Sequence, residues 1–177
     1  MKNTLFKAIA SVSLVFLTTS TIVVDTKKTF EIKPDVEDIS KVNQSSLKMF
    51  ECLEKFSEMY NIPKSIFFNI AYLESRYRGP SDEKYKPNLT SRCGALGPMQ
   101  IMPSTANYIC KEKVSKQKLK NDIELNVEIS AKVLRHLHDK YNDWALVCGY
   151  YNTGRPKVNK YAKFCVENED YQKNWVQ

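Results

Sequence analysis

The chain has 177 residues, of which 42% are hydrophobic, and this suits one globular domain with a single core. Only 5 glycines occur, which disfavours a turn-rich β-sandwich or β-barrel. The formal net charge of +7 favours a polyanionic partner, although a surface charge that only keeps the protein soluble explains it equally well. No basic block with interleaved aromatic residues and no nucleic-acid-binding motif occurs, so nucleic acid is not expected as a partner.

Residues 1–24 have the order of a secretory signal peptide. Lys2 and Lys7 form a short positive region, and the apolar stretch 8–17 follows it. The apolar stretch can be extended to Val24, so an uncleaved N-terminal membrane anchor is the alternative. Both interpretations predict an exported protein in the periplasm or cell envelope.

The folded domain is predicted to span residues 44–177. The preceding residues 25–43 are polar and weakly patterned, which indicates a linker or an arm. Apolar residues then recur at helical spacing from Leu47 to Tyr60, and Ser45 is well placed to cap that helix.

A second helix is predicted to begin at Pro63, because proline suits the first turn of a helix. Its apolar positions between residues 66 and 73 predict burial, and Glu74 follows at its end. The prolines and glycines of residues 76–96 then predict a long loop.

The remaining predicted elements are also helical. A short helix follows Pro103, and a longer one runs from about residue 124 to residue 141. Asp143 is placed to cap another short helix that ends near Gly154, and residues 158–165 form a final amphipathic segment. No strand alternation and no internal repeat occur, so the predicted fold class is mainly α.

The cysteines and histidines do not indicate a cofactor. Four of the five cysteines could pair as two disulfides in an oxidising compartment, and the spacing leaves the pairing open; the five are Cys52, Cys93, Cys110, Cys148 and Cys165. None of them forms the short C-x-x-C spacing of a zinc or redox site. His136 and His138 point to different sides of a predicted helix. No metal, nucleotide or flavin pattern occurs, so we expect no cofactor.

Glu74 is the main candidate for a catalytic residue. A carboxyl group at the end of an apolar helix can line a cleft, where burial raises its pKa by disfavouring the charged form. A protonated carboxyl group of this kind can donate a proton to a glycosidic oxygen. Considered alone, however, Glu74 is better explained as an exposed helix-end residue, or as one paired with Arg76 or Arg78.

Three blocks in order change that interpretation. Glu74-Ser75 is followed by residues 94–106, which read GALGPMQIMPSTA, and later by residues 150–154, which read YYNTG. In this order the blocks resemble the soluble lytic transglycosylase family, relatives of goose-type lysozyme, and the resemblance covers roughly residues 47–165. It implies a single lysozyme-like helical domain with a long loop after the catalytic helix.

The sequence departs from the family pattern in three places. Pro98 replaces the usual leucine and Tyr150 the usual alanine, and these changes affect the shape of the groove more than its chemistry. The loop between Glu74 and Gly94 is longer than is common in the family. This loop either lines or covers part of the sugar groove, or is a disordered surface loop.

The resemblance implies a lytic transglycosylase acting on peptidoglycan glycan strands. Protonated Glu74 would donate to the oxygen that joins MurNAc to GlcNAc, while the N-acetyl group of MurNAc stabilises the positive sugar centre. The Glu74 carboxylate would then remove a proton from the C6 hydroxyl group and close a 1,6-anhydro ring. One carboxyl group serves both steps.

The resemblance also assigns roles to residues around Glu74. Ser91 would hold the N-acetyl group of the reacting sugar. Tyr151 would donate a hydrogen bond to Glu74, and Asn152 would help to fix the same turn. Structural roles, as a loop serine and as residues that terminate a helix, remain open for all three.

The middle block would line the substrate groove. Gln100 and Met99 would be groove residues, with the backbone of Gly97 close to the sugar. The alternative for Met99 is a place in the core.

Other functions remain open at this point. A lysozyme-like hydrolase would deliver water to the same bond, with Asp82 or Glu83 as the base that positions it. A non-catalytic glycan-binding or assembly protein could keep the same fold. The cellular partner could be a secretion, conjugation or phage-entry apparatus, or the enzyme could recycle cell wall.

Overall fold

The computed structural model describes residues 43–175, which contain seven α-helices and one 3-10 helix. In chain order, these are α1 Gln44–Met59, α2 Lys64–Ser75, α3 Pro103–Cys110, α4 Lys116–Asn121, α5 Ile123–Tyr141, α6 Trp144–Thr153, α7 Lys160–Glu167 and the 3-10 helix Tyr171–Trp175. The mainly α prediction is confirmed. The predicted signal peptide or anchor lies outside the described residues, as does nearly all of the predicted linker. Within residues 43–175, no helix is both long and apolar enough to cross a bilayer.

The start of α1 differs from the prediction. Asn43 caps this helix, because its side-chain oxygen accepts hydrogen bonds from the backbone N–H groups of Ser45 at 3.0 Å and Ser46 at 3.4 Å. The prediction of Ser45 as the cap is therefore wrong. Ser45 already lies in the first turn, where its own N–H group needs an acceptor.

The ends of α2 and α6 follow the sequence closely. Helix α2 begins directly after Pro63, and it ends at Ser75 because Arg76 adopts the left-handed conformation with φ 59°. Asp143 caps α6 through the N–H groups of the next turn, and Gly154 ends it with φ 70°. Both features of α6 were predicted.

Two short elements were not predicted. Helix α4 has six residues, of which Leu119 alone is buried, and the 3-10 helix has no fully buried residue. Elements this short show no apolar periodicity, so their sequences resemble those of loops.

The core lies where five of the helices meet. Helix α1 packs along α5, α6 packs against both α5 and α7, and α7 packs against α2. Residues of α2 such as Phe67, Phe68 and Ile70 are almost wholly buried, which explains the apolar run before Glu74. The contact between α2 and α7 brings a second helix to the end of α2.

Two buried asparagines fix loops against these helices. The side chain of Asn126 on α5 donates to the carbonyl groups of Leu96 and Leu119 at 2.9 and 2.8 Å, and it accepts from the N–H group of Met99 at 2.9 Å. Asn69 on α2 does the same for the C-terminal segment. Its amide donates to the carbonyl groups of Cys165 and Asn168, and its oxygen accepts from the side chains of Asn168 and Asn174.

All five cysteines are free thiols in the structure. Cys148 on α6 and Cys165 on α7 are both fully buried. The two thiols are neighbours where α6 packs against α7, and the proximity of Cys148, together with burial, raises the pKa of Cys165 far above its usual range. The two predicted disulfides are thus not present, but one pair of neighbouring thiols is.

Candidate active site

Glu74 lies in the last turn of α2, one residue before the helix ends. Its half-buried side chain lines a cavity of about 660 Å³ that is bounded by the loop after α2 and by Trp175. This volume is within the usual range of ligand-binding sites, about 300–1,000 Å³. The location agrees with a carboxyl group at the wall of a cleft.

The hydroxyl group of Tyr161 donates a hydrogen bond of 2.7 Å to Oε1 of Glu74. Burial raises the pKa of the Glu74 carboxyl group above its usual value, whereas the hydrogen bond from Tyr161 opposes this shift by favouring the charged form. Burial prevails. A single carboxyl group with a raised pKa can act first as an acid and then, once ionised, as a base.

The predicted hydrogen bond between Tyr151 and Glu74 is wrong. The hydroxyl group of Tyr151 donates to the carbonyl oxygen of Met99 at 2.7 Å and shares a hydrogen bond of 2.8 Å with Ser130. The reason is the packing of the helices: α6 faces α5, which carries Ser130, whereas α7 faces α2 and brings Tyr161 to Glu74. Tyr151 nevertheless lies near the site. Burial raises the pKa of Tyr151, and the charge of the nearby Glu74 carboxylate raises it further.

The middle sequence block forms a buried turn. Met99 is fully buried, so its side chain belongs to the core and only its backbone faces Tyr151. Gly97 has φ 74°, and a Cβ atom there would lie 2.5 Å from the amide nitrogen of Asn126. The absence of a side chain at Gly97 is therefore required by this close approach. Gln100 closes the turn by donating to the carbonyl group of Gly97 at 2.7 Å.

Three predicted substrate-binding residues line a second cavity of about 320 Å³. These are Gln100, Tyr151 and Asn152. The side-chain oxygen of Asn152 accepts a hydrogen bond of 3.1 Å from Asn159, the residue that caps α7. Asn152 thus connects the end of α6 to the start of the helix that carries Tyr161.

Ser91 lies in a turn outside these two cavities. Its hydroxyl oxygen accepts a hydrogen bond of 2.9 Å from the N–H group of Ala95, and its own N–H group donates to the Ala95 carbonyl oxygen at 2.9 Å. The structure therefore gives Ser91 a turn-stabilising role, and does not place it together with Glu74.

Two acidic residues share the larger cavity with Glu74. Asp82 is half-buried and its side chain accepts a hydrogen bond of 3.1 Å from the N–H group of Lys84, whereas Glu83 is exposed. Neither these three carboxyl groups nor any other group of three or more His, Cys, Asp or Glu side chains within residues 43–175 is arranged to hold a metal ion.

Tyr161 lies within the predicted amphipathic segment 158–165, to which the sequence assigned no functional role. The available signal was its hydroxyl group, since a buried tyrosine needs a hydrogen-bond partner. Ser130 was missed for a similar reason. It is a fully buried hydroxyl residue within an apolar helix, and its partner is Tyr151.

Comparisons with known proteins identify the family and the fold of this chain. Residues 51–174, well over half of the chain, match the model of the transglycosylase SLT domain family. An inactive mutant of the lytic transglycosylase Slt from Pseudomonas aeruginosa has a similar structure, with 22% sequence identity and a TM-score of 0.51. The 70-kDa soluble lytic transglycosylase from Escherichia coli has 24% identity and a TM-score of 0.51, and the same enzyme type in complex with bulgecin A has 24% and 0.52.

Each of these structural matches covers 71% of this chain but only 22% of the other. The chain thus corresponds to about one fifth of the length of the proteins that it matches, and at these identities the likeness shows the fold alone. The family match is the stronger finding, because it includes Glu74, the buried turn and Tyr161. The chain therefore belongs to the transglycosylase SLT domain family.

Proposed function

We propose that this chain is a peptidoglycan lytic transglycosylase that cleaves the MurNAc–GlcNAc β-1,4 bond without water and leaves 1,6-anhydro-MurNAc ends. The observation that carries the proposal is the carboxyl group of Glu74. It is half-buried beside a cavity, it has a raised pKa, and Tyr161 fixes one of its oxygens.

The first step needs an acid. Protonated Glu74 donates its proton to the glycosidic oxygen, and the bond between this oxygen and C1 of MurNAc breaks. The carbonyl oxygen of the MurNAc N-acetyl group stabilises the positive charge that develops at C1. This substrate assistance means that no protein nucleophile is needed.

The second step needs a base, and the same residue supplies it. The Glu74 carboxylate accepts the proton of the C6 hydroxyl group while O6 forms the bond to C1, which closes the anhydro ring. By favouring the charged form of Glu74, Tyr161 supports the first step, in which the carboxylate is formed, whereas burial favours the protonated form that the second step restores.

Mass spectrometry of the muropeptides released from purified peptidoglycan tests the proposal. The expected products are one water lighter than hydrolysis products and end in anhydro-MurNAc. Glu74→Gln, which keeps the size of the side chain but cannot exchange a proton, should abolish them. Anhydro products from the Glu74→Gln protein at the rate of the parent protein would contradict the mechanism.

A lysozyme-like hydrolase is the second candidate, and one observation favours it. Asp82 and Glu83 line the same cavity as Glu74, so either could position a water molecule. Inverting hydrolases separate their two carboxyl groups by about 6.5–9.5 Å to leave room for that water. Reducing-end products that disappear in Asp82→Asn or Glu83→Gln would support hydrolysis. A non-catalytic glycan-binding protein of the same fold would release no product at all.

We also propose that the protein is exported to the periplasm or cell envelope. The support is the sequence of residues 1–24, with two lysines before an apolar stretch, together with a cell-wall substrate. Fractionation of cells expressing the full chain with a C-terminal tag tests this, and a larger tagged species in membranes would indicate a retained anchor. A secretion, conjugation or phage-entry apparatus as partner is tested by co-purification from crosslinked envelopes.

A further inference from the structure

The loop between α2 and the buried turn is held firmly in place. Tyr77 and Tyr85 are almost fully buried beneath it, with 1% and 5% of their surfaces exposed. The hydroxyl group of Tyr77 donates to the carbonyl group of Ser46 at 3.0 Å, and that of Tyr85 shares a hydrogen bond of 3.1 Å with Ser75. The alternative of a disordered surface loop does not agree with these contacts.

Residues of α1 and the C-terminus hold the same loop from other directions. The side-chain amide of Asn43 donates to the carbonyl groups of Glu83 and Tyr85 at 3.1 and 2.9 Å. Gly79 is packed so tightly against Trp175 that a Cβ atom would lie 2.6 Å from the indole ring. The loop is thus a fixed wall of the cavity that contains Glu74.

This wall is strongly cationic. Arg76, Arg78, Lys84 and Lys86 all line the cavity. Among residues 43–175, none of these four forms an ion pair, although seven such pairs occur elsewhere in that region. Asp82 and Glu83 also line the cavity. Once Glu74 is protonated, the four cationic side chains therefore face only two negatively charged ones. Cations that line a preformed cavity and form no ion pair within residues 43–175 favour an anionic ligand.

The chemistry of peptidoglycan supplies such an anion close to Glu74. MurNAc carries a lactyl ether at its O3, on the ring carbon next to C4, and a peptide is attached to this ether. The peptide has several free carboxylate groups. When MurNAc occupies the site of Glu74, its peptide therefore begins only a few bonds from C1, the carbon at which the reaction takes place. The cavity is lined by Glu74 and by residues of the loop as far as Leu89, so one continuous space adjoins both the carboxyl group and the cations.

We propose that residues 76–89 form a cationic subsite that binds the carboxylate groups of the peptide attached to MurNAc. The proposal rests on the proposed function, because it assumes that MurNAc occupies the site of Glu74. It identifies the preferred substrate as peptide-bearing glycan strands. Arg78, Lys84 and Lys86 are the residues that contact the peptide, and Arg76 is set apart because it also ends α2 in a left-handed conformation.

Isothermal titration with two soluble ligands tests the subsite independently of turnover. The ligands are the GlcNAc–MurNAc disaccharide with its tetrapeptide and the same disaccharide without peptide. The Glu74→Gln protein is used so that nothing is consumed. We expect the peptide-bearing ligand to bind at least about fivefold more tightly, since several exposed ion pairs each contribute modestly. The difference should decrease as salt screens these charges.

A triple variant in the same background should bind the two ligands with equal affinity. Its substitutions are Arg78→Gln/Lys84→Gln/Lys86→Gln. The matched control is Lys113→Gln/Lys116→Gln/Lys118→Gln, three exposed lysines outside this cavity, which should keep the difference. Circular dichroism shows whether each variant is folded. If the first triple variant is unfolded, Lys84→Gln/Lys86→Gln replaces it, since both side chains are exposed.

Each outcome decides one of the two proposals. Equal affinities for the two ligands, no detectable binding of the peptide-bearing ligand at millimolar concentration, or an unchanged difference in the loop variant would overturn the subsite. The release of anhydro products by the parent protein would leave the proposed function standing in each of these cases. Conversely, peptide-dependent binding without anhydro products would support the subsite and contradict the transglycosylase mechanism.

Discussion

Tyr161 on α7 donates a hydrogen bond of 2.7 Å to Oε1 of Glu74, although 87 residues separate them in the chain. The packing of α7 against α2 creates this contact. The tyrosine hydroxyl group makes no chemical bond in the proposed reaction. It orients the carboxyl group and favours its charged form, so it is a positioning residue.

Tyr161→Phe should lower kcat and also move the pH profile. Loss of a hydrogen bond to a charged group costs about 1.5 kcal/mol or more, so we expect kcat to fall about tenfold. The pKa of Glu74 should rise, because the hydrogen bond that lowers it is gone. Activity requires protonated Glu74 and is lost as pH rises through its pKa, so the alkaline limb should move to higher pH.

A pH–rate profile of kcat for anhydro-product formation measures both effects. Tyr72→Phe is the control, because it keeps the ring that stacks on Phe164 and leaves Glu74 untouched. A profile of Tyr161→Phe with the same alkaline limb as the parent would show that the hydroxyl group does not influence Glu74.

Glu74→Gln should stabilise the protein at neutral pH while abolishing activity. The pKa of Glu74 is raised in the folded state by burial, so the unfolded chain ionises at lower pH than the folded one. Above the unfolded pKa this difference reduces stability, and the loss is complete once pH exceeds the folded pKa. The glutamine variant should therefore have the higher Tm at pH 7, and the two Tm values should converge near pH 4. A lower Tm of the variant at pH 7 contradicts the raised pKa.

Asn126→Ala should destabilise the domain by at least about 3 kcal/mol, because it removes three buried hydrogen bonds to backbone groups. Urea denaturation followed by circular dichroism measures the loss. Asn121→Ala is the matched control, since Asn121 is exposed at the end of α4 and should change stability little. Similar losses for the two variants would mean that the amide of Asn126 does not fix the turn.

Gly149→Ala should destabilise the protein, although the same change in a helix interior is usually favourable. A Cβ atom at this position would lie 2.0 Å from the carbonyl oxygen of Lys157, so α6 and the segment before α7 would have to separate. We expect a loss of about 3 kcal/mol or more. Ala145→Gly in the same helix is the comparison, with an expected loss of about 1 kcal/mol. Thermal denaturation ranks them, and a stable Gly149→Ala protein would contradict the close contact.

Cys148 and Cys165 should form a disulfide when the reduced, unfolded protein is refolded in a glutathione redox buffer, because both thiols are fully buried in the folded protein and glutathione reaches them only before folding. In the folded protein the two buried thiols are neighbours, and disulfide formation removes one hydrogen atom from each while the oxidant is reduced. Peptide mapping of unfolded, alkylated protein should show the 148–165 bond in the treated sample. Cys93, the exposed cysteine, should form mixed disulfides with glutathione. A linkage between other cysteines in folded protein would contradict this pairing.

Most of the fold could be predicted from the sequence, because its long helices carry clear signals. The apolar spacing in α5, the aspartate that caps α6 and the glycine that ends it act within a few residues. By contrast, α4 and the 3-10 helix are too short to show a period, and Asn43 caps α1 from within a segment that reads as a linker.

The candidate site was predictable only in part, for a related reason. Glu74, Gln100 and Asn152 lie in local motifs, whereas the partner of Glu74 is set by the packing of α7 on α2. No local sequence pattern indicates which of the two tyrosines, Tyr151 or Tyr161, donates a hydrogen bond to the carboxyl group of Glu74. The wrong choice between them follows from this, since the motif contains Tyr151 and not Tyr161.

The four hydrogen bonds of Asn69 set the length of the smallest stable fragment. A protein truncated after residue 167 would keep Glu74 and Tyr161. It would, however, remove the hydrogen-bond partners that Asn168 and Asn174 supply to the side-chain amide of Asn69. It would also remove the aromatic rings of Tyr171 and Trp175 that cover Phe68 on the catalytic helix. The last eight described residues, 168–175, therefore hold the C-terminal segment against α2, and an expression library of nested C-terminal deletions should lose soluble protein abruptly once Trp175 is removed.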